Sequence, residues 1–251
     1  MAGGASACTF SVLPRKQSAL ASLLETNVGP SSLDIRSKVG DVGATALAAA
    51  LEKNTTLRSL SLKMNGPTGV TTLAAALETN ATLQELDLTD SSVGSVGATA
   101  LAAALKKNAT LRSLSLRSNG IGATGVTALA AAVKMNAALQ EIDLGLRDHN
   151  FGTEPEDVQA QWEGCNFMGD EGAAAFAESL ETNVTLLKLK MSCNSVGDAG
   201  ISALVAALET NVTLQKLDLA AQNGRMYMLH AEEKTRLANA FSAFGARVTV
   251  R

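Results

Sequence analysis

Thr110–Leu116 reads TLRSLSL, and the same seven residues stand at Thr56–Leu62. Variants on that template follow at Thr82–Leu88 (TLQELDL), Ala138–Leu144 (ALQEIDL), Thr185–Met191 (TLLKLKM) and Thr213–Leu219 (TLQKLDL). The leading leucines, Leu57, Leu83, Leu111, Leu139, Leu186 and Leu214, are separated by 26, 28, 28, 47 and 28 residues. A leucine-based period of about 20–29 residues predicts a solenoid in which every coil supplies a strand and a helix. Each coil buries its leucines against the next, so the repeat predicts one elongated domain without a single central core.

One repeat, Leu111–Asn136, shows the physics. Leu111, Leu114 and Leu116 end in strict alternation, which predicts a short half-buried strand. Asn119 and Gly120 break it, and the Asn119 amide is suited to satisfy backbone groups of the turn. Val126, Leu129 and Val133 then recur at helical spacing, and alanines fill the remaining positions so that neighbouring helices can approach closely. Asn136 ends the helix, as a residue able to adopt the left-handed conformation.

The pattern resembles the ribonuclease-inhibitor-like class of leucine-rich repeat, LxxLxLxxNxIGxxGxxxLAxALxxNxx, matched through Leu57–Asn136 and again through Leu186–Asn211. That class includes the sensing domains of NOD-like receptors, the Ran GTPase-activating protein and the tropomodulin C-terminal domain. The resemblance implies an α/β, right-handed solenoid, a horseshoe with about eight parallel strands on its concave face and helices on its convex face. A single domain over 1–251 is expected: a segment and capping helix over 1–27, repeats over 28–219 and a cap over 220–251. Continuing the register places the first strand at Leu33–Ile35, after a helix through Leu20–Leu24. It places the last at Val248–Val250, an edge open to pairing in an otherwise monomeric chain. The repeat asparagine is replaced by Lys38, Ser91 and Gln222 in three coils, where looser turns are expected.

Composition narrows the role. A net charge of -3 offers no field for nucleic acid, and no run of about 18 apolar residues is present to span a membrane. The opening MAGGASACTFSVLPRKQ does not read as a signal peptide, and Cys8, Cys165 and Cys193 are scattered and odd in number. A cytoplasmic location follows as the expectation. Five glycosylation sequons, at Asn54, Asn80, Asn108, Asn183 and Asn211, all fall at one repeat position, so the repeat itself accounts for them.

In each strand the leucines alternate with residues that face the concave surface. These are Ser59 and Ser61, Glu85 and Asp87, Ser113 and Ser115, Glu141 and Asp143, Lys188 and Lys190, and Lys216 and Asp218. Coils of the RSLSL and QELDL kinds alternate, and the next exposed column carries Arg36, Lys63, Thr89 and Arg117. The 47-residue spacing is read as one coil plus an insertion at 145–164, because Asn166–Gly172 resumes the NGIGATG pattern of Asn119–Gly125. The Glu141/Asp143 row should therefore lie beside the Lys188/Lys190 row. The insertion and a second interruption after Leu219 hold the only Trp (Trp162), the only Tyr (Tyr227) and both histidines, His149 and His230. Long loops on a rigid scaffold commonly carry function.

No catalytic, cofactor-binding or metal-binding pattern emerges. Asp148-x-Asn150-x-Gly152 lacks the glycine and acid of a calcium loop, having Thr153 and Gln159 in their places. The resulting expectation is a non-enzymatic scaffold that binds a protein through the concave face and the rim formed by 145–164 and 220–230. Its candidate contacts are Glu85, Asp87, Arg117, Glu141, Asp143, Lys188, Lys190, His149, Phe151, Trp162, Tyr227 and His230. The family resemblance leaves two alternatives open, a GTPase regulator like the Ran GTPase-activating protein and a sensing module of NOD-like type.

Overall fold

The computed structural model describes residues 7–10, 24–27, 29–64, 66–146, 165–220 and 235, with residues 7–10 and Arg36 described by backbone alone. Strands and helices alternate: β1 (Ala7–Phe10), β2 (Ser32–Lys38), α1 (Gly40–Lys53), β3 (Ser59–Lys63), α2 (Pro67–Leu77), β4 (Glu85–Asp87), α3 (Gly94–Leu105) and β5 (Ser113–Ser115). Then come α4 (Gly122–Met135), β6 (Glu141–Asp143), α5 (Gly169–Leu180), β7 (Lys188–Lys190), α6 (Asp198–Leu208) and β8 (Lys216–Asp218). The strands form one parallel sheet in sequence order, β1 to β8, and consecutive helices pack side by side. This is the α/β solenoid the repeat predicts.

The membership of the eight strands differs from the expectation at its ends. The sheet begins one strand early, at Ala7–Phe10, which pairs with β2 through Cys8 opposite Leu33 and Phe10 opposite Ile35. Leu24 and Glu25 are helical and Leu24 is buried, in keeping with a helix ahead of β2. Val248–Val250 and most of the 220–251 cap lie outside the described residues, as do 147–164 of the insertion. At Lys38, which replaces the repeat asparagine and where a looser turn was expected, the strand instead runs on and pairs with Lys63 across a register shift.

Between sheet and helices lies the core. Leu57, Leu83, Leu111, Leu139, Leu186 and Leu214 are all buried, and so are the alternating strand leucines such as Leu60, Leu62, Leu114 and Leu116. On α4 the buried set is Gly125, Val126, Leu129, Ala130, Ala132 and Val133. The alanines pack between coils as well as filling the helix. A β-carbon at Gly125 would lie 2.4 Å from Ile121 Cγ2 and 2.9 Å from Ala98 Cβ, so the close approach of α4 to α3 excludes a side chain there.

The helix-ending asparagines do not work as expected. Asn54 and Asn136 are extended (φ -76° and -82°), not left-handed. Their side chains act instead. In Asn108, Nδ2 donates to the carbonyls of Leu77 (2.8 Å) and Asn80 (3.0 Å) in the preceding coil. Its Oδ1 accepts from the amides of Thr110 (3.0 Å) and Leu111 (2.8 Å) in its own coil. Asn80, Asn136, Asn183 and Asn211 repeat this four-bond pattern. A carboxamide has two donor hydrogens and two acceptor lone pairs, so each is saturated. All five sequon asparagines are 2–6% exposed, so the folded protein offers none of them to a glycosyl donor.

A second ladder closes the strand ends. Asn166 donates to Leu116 O and Leu144 O and accepts from the amides of Asn119 and Ile121. The Ser91 turn is not looser. Its buried hydroxyl accepts from Met64 N–H (3.1 Å) and donates to Leu62 O (3.1 Å), spanning the same gap with one atom.

Leu114 is fully buried between Leu86 and Ile142 in the pairing register, while Ser115 faces out and touches Thr89 Oγ1 at 3.1 Å. Leu114→Ala should cost about 2–5 kcal/mol by leaving a cavity, and Ser115→Ala under about 1 kcal/mol. Urea unfolding of both variants checks this; equal losses would mean that the strand register is wrong.

Candidate functional site: the free face of the sheet

Because side chains alternate along a strand, two residues of each short strand project from the sheet on the side away from the helices. Parallel pairing aligns them into two columns. The first runs Ser59, Glu85, Ser113, Glu141, Lys188, Lys216, and the second runs Ser61, Asp87, Ser115, Asp143, Lys190, Asp218. The expected juxtaposition across the insertion is present: Glu141 pairs with Lys188 and Asp143 with Lys190.

These four residues and Arg117 form one ionic network. Glu141 Oε2 lies 3.0 Å from Lys188 Nζ, and its Oε1 lies 2.6 Å from Lys190 Nζ. Lys190 Nζ also reaches Asp143 Oδ2 at 3.3 Å, and Arg117 Nε stands 3.9 Å from the same oxygen. The Arg117 guanidinium donates through Nε and Nη2 to Leu146 O at 3.2 and 2.9 Å, tying the first residues of the insertion to the turn after β5. Burial works to raise the Glu141 carboxyl, but the hydrogen bonds and charges of Lys190 and Lys188 outweigh it and hold the pKa below its ordinary value. Asp143 goes the other way. Burial raises it, against the Gly145 amide, Lys190 and Arg117. Asp143 was expected on an exposed surface and is instead buried at 7% exposure. Lys190 loses by burial but is raised overall by Glu141 and Asp143.

Elsewhere on the face the candidates are differently placed. Asp87 Oδ1 accepts from the Thr89 amide (2.9 Å) and hydroxyl (2.6 Å), which closes the end of β4. Glu85 is exposed. His149, Phe151, Trp162, Tyr227 and His230 lie outside the described residues. A shallow depression of about 190 Å3 crosses β4 to β7, lined by Gln84, Glu85, Arg112, Ser113, Gln140, Glu141, Leu187 and Lys188.

The coil of strand and helix, about 28 residues long, thus stacks in register with asparagine ladders at its two turns. The sequence profile of the leucine-rich repeat matches residues 79–102, 107–130 and 182–205. Those three segments are leucine-rich repeats. No curated protein sequence matches the chain. Many solved structures are similar to it, among them the following three. Leiomodin-1 actin-binding site 2 is 17% identical, with 90% of this chain and 87% of that one covered and a TM-score of 0.44. The tropomodulin C-terminal domain of Caenorhabditis elegans is 9% identical, with 91% and 93% covered and a TM-score of 0.42. A leucine-rich-repeat-containing protein from Legionella pneumophila is 14% identical, with 94% and 79% covered and a TM-score of 0.42.

The leucine-rich-repeat frame also exposes residues that the sequence reading passed over. Arg112, Gln84, Gln140 and Ser113 line the depression; the signal was the aligned column Arg58, Gln84, Arg112, Gln140 just ahead of the exposed one. Phe167 is 47% exposed beside the end of the insertion and sits at φ 46°, where the equivalent residue of an earlier coil is Gly120. A bulky residue in the left-handed region is strained, and such strain concentrates at functional surfaces. Cys165 and Cys193 are not scattered: one coil apart, they form a small buried cluster with Leu146. Burial pushes their thiols up to about 12 and about 11, so neither is a nucleophile at neutral pH. Among the described residues no group of three or more His, Cys, Asp or Glu is placed to hold a metal ion, and no helix is long and apolar enough to cross a membrane.

The opposed shifts give a signed prediction. A carboxyl lowered by folding stabilises the fold above its unfolded pKa, and that contribution is lost as pH falls through the folded value. Glu141→Gln should therefore lower the urea midpoint at pH 7 and lose its effect towards pH 3. A carboxyl raised by folding is less favourable ionised in the native state, so Asp143→Asn should leave the pH 7 midpoint unchanged or raise it. Equal losses at pH 7 would show that both carboxylates stabilise the network alike.

Proposed function

We propose that this chain is a non-enzymatic scaffold that binds a protein partner across the concave face of its sheet and the rim formed by 145–164 and 220–230. One observation carries the reading. The free face presents charged and polar side chains from consecutive strands as a continuous surface, and its depression measures about 190 Å3. Small-molecule sites are typically about 300–1,000 Å3 and enclosed. A shallow surface of this kind fits the side chains of a macromolecule better than a metabolite. The rim belongs to the proposal because the insertion leaves beyond β6 and the second interruption beyond β8. These strands lie two steps apart in the sheet, roughly 10 Å at parallel-strand spacing.

The test is affinity capture from the source cell with three forms of the protein: wild type, the Ser61→Arg/Ser115→Arg double variant, and a form with 145–164 replaced by a short turn. The two arginines place bulk on the sheet without touching the core. A partner captured by the wild type should be lost with the double variant and reduced with the shortened form. A partner retained equally by all three would place the contact on another surface. Accelerated GTP hydrolysis by a panel of small GTPases at substoichiometric protein would replace the scaffold reading with a GTPase-regulating one.

A further inference from the structure

The charges of the free face divide into two kinds. Over β6 and β7 they are engaged with one another, because Glu141 holds Lys188 and Lys190 and Asp143 holds Lys190 and Arg117. Over β4 and β5 they are not. Glu85 is exposed and has no ion pair or side-chain hydrogen bond among the described residues. Among the described residues the Arg112 guanidinium makes a single long bond, from Nη1 to Ala138 O at 3.5 Å. The amides of Gln84 and Gln140 and the hydroxyl of Ser113 have no side-chain partners among the described residues either, and Leu187 adds a half-buried apolar patch.

An acid and a base that stand close yet leave each other alone offer two separate contacts. The Gln84 and Glu85 amides both donate to Arg58 O, and the Arg112 and Ser113 amides both donate to Gln84 O, so the four residues lie in one register along adjacent strands. Glu85 and Arg112 are therefore one strand and one residue apart, roughly 6 Å between backbones. The space between them is too small for a typical small-molecule ligand. It suits two or three side chains.

We infer that this depression receives a segment of a partner protein that presents a basic side chain to Glu85 and an acidic side chain to Arg112. The inference rests on the scaffold reading above and supplies the chemistry of the partner. The guanidinium fork matches a carboxylate in two parallel hydrogen bonds, which gives the acidic subsite its selectivity. Gln84 and Gln140 flank the pair and can each donate to and accept from the backbone of the bound segment. An all-basic or all-acidic segment meets one matching charge and one repulsive charge, so the mixed pair is what the site selects.

A random linear peptide library displayed on phage, selected on the full chain, supplies the probe. The selected peptides should carry a basic and an acidic residue close together. Measured by fluorescence anisotropy, they should bind about tenfold or more weakly to Glu85→Lys and to Arg112→Glu. They should bind unchanged to Lys216→Glu, a reversal on the same face outside the depression. Both test positions are exposed, and matching unfolding midpoints confirm that the variants fold. Peptides without the charge pair, undiminished binding to both variants, or a library that yields no binder would each overturn the inference. If the selected peptides ignore Glu85 and Arg112 but lose affinity for the Ser61→Arg/Ser115→Arg variant, the scaffold reading stands and only the depression fails. If neither peptides nor cellular partner engage the sheet, both fall.

Discussion

A buried carboxamide at the end of each helix holds two coils at once. Its NH2 reaches back to two carbonyls of the preceding coil, and its oxygen takes two amides of its own. Those backbone groups would otherwise be buried without partners, at a cost of about 1–3 kcal/mol each. A solenoid has only nearest-neighbour contacts, so the bond that sets one coil on the next also sets the sheet register and the packing of helix on helix. The ladder crosses the insertion undisturbed: Asn183 bonds to Val133 O and Asn136 O as though the intervening residues were absent. That is why β6 and β7 pair despite the long spacing between their leading leucines, and why the Glu141 and Lys188 rows meet.

From that register follows the character of the free face. Strand pairing puts opposite charges side by side over β6 and β7, where they neutralise one another and anchor the base of the insertion through Arg117 and Leu146. It also puts small serines between acidic rows over β3 to β5, opening the depression at Ser113. Exposed ion pairs contribute little to stability, about 0–1 kcal/mol each. In the proposal above, the half of the face with charges paired to one another is a support, and the half over β4 and β5 is where a partner's charges would be met.

Much of this was legible in the chain itself. The leucine spacing predicted the solenoid, the strand positions, the inward leucines and the contact between the Glu141 and Lys188 rows. The first strand was missed because Ala-Cys-Thr-Phe at Ala7–Phe10 carries none of the leucine template; its place comes from pairing with β2. The asparagine position was seen, but its mechanism was assigned to backbone conformation when the side chain does the work. A repeat fixes which residues line up, not whether a carboxylate there is covered, so the burial of Asp143 was invisible. Arg112 escaped because it precedes the alternating pair and reaches the face by length, not by phase. The proximity of Cys165 and Cys193 could have been found, since their 28-residue separation is one coil.

Native-state amide hydrogen exchange on Asn108→Ala tests the dependence on the ladder most directly. Removing the carboxamide orphans Thr110 N–H, Leu111 N–H and Leu77 O together and leaves Asn80 O only a long bond from the Thr110 hydroxyl at 3.5 Å. Protection should fall at Thr110 and Leu111 and also in both adjoining coils, at Thr82 and Leu83 and at Ala138 and Leu139, with a stability loss of at least about 2 kcal/mol. Loss of protection confined to Thr110 and Leu111, with the neighbouring coils unchanged, would show that each asparagine only closes its own turn and that the stacking of coils rests on the leucines alone.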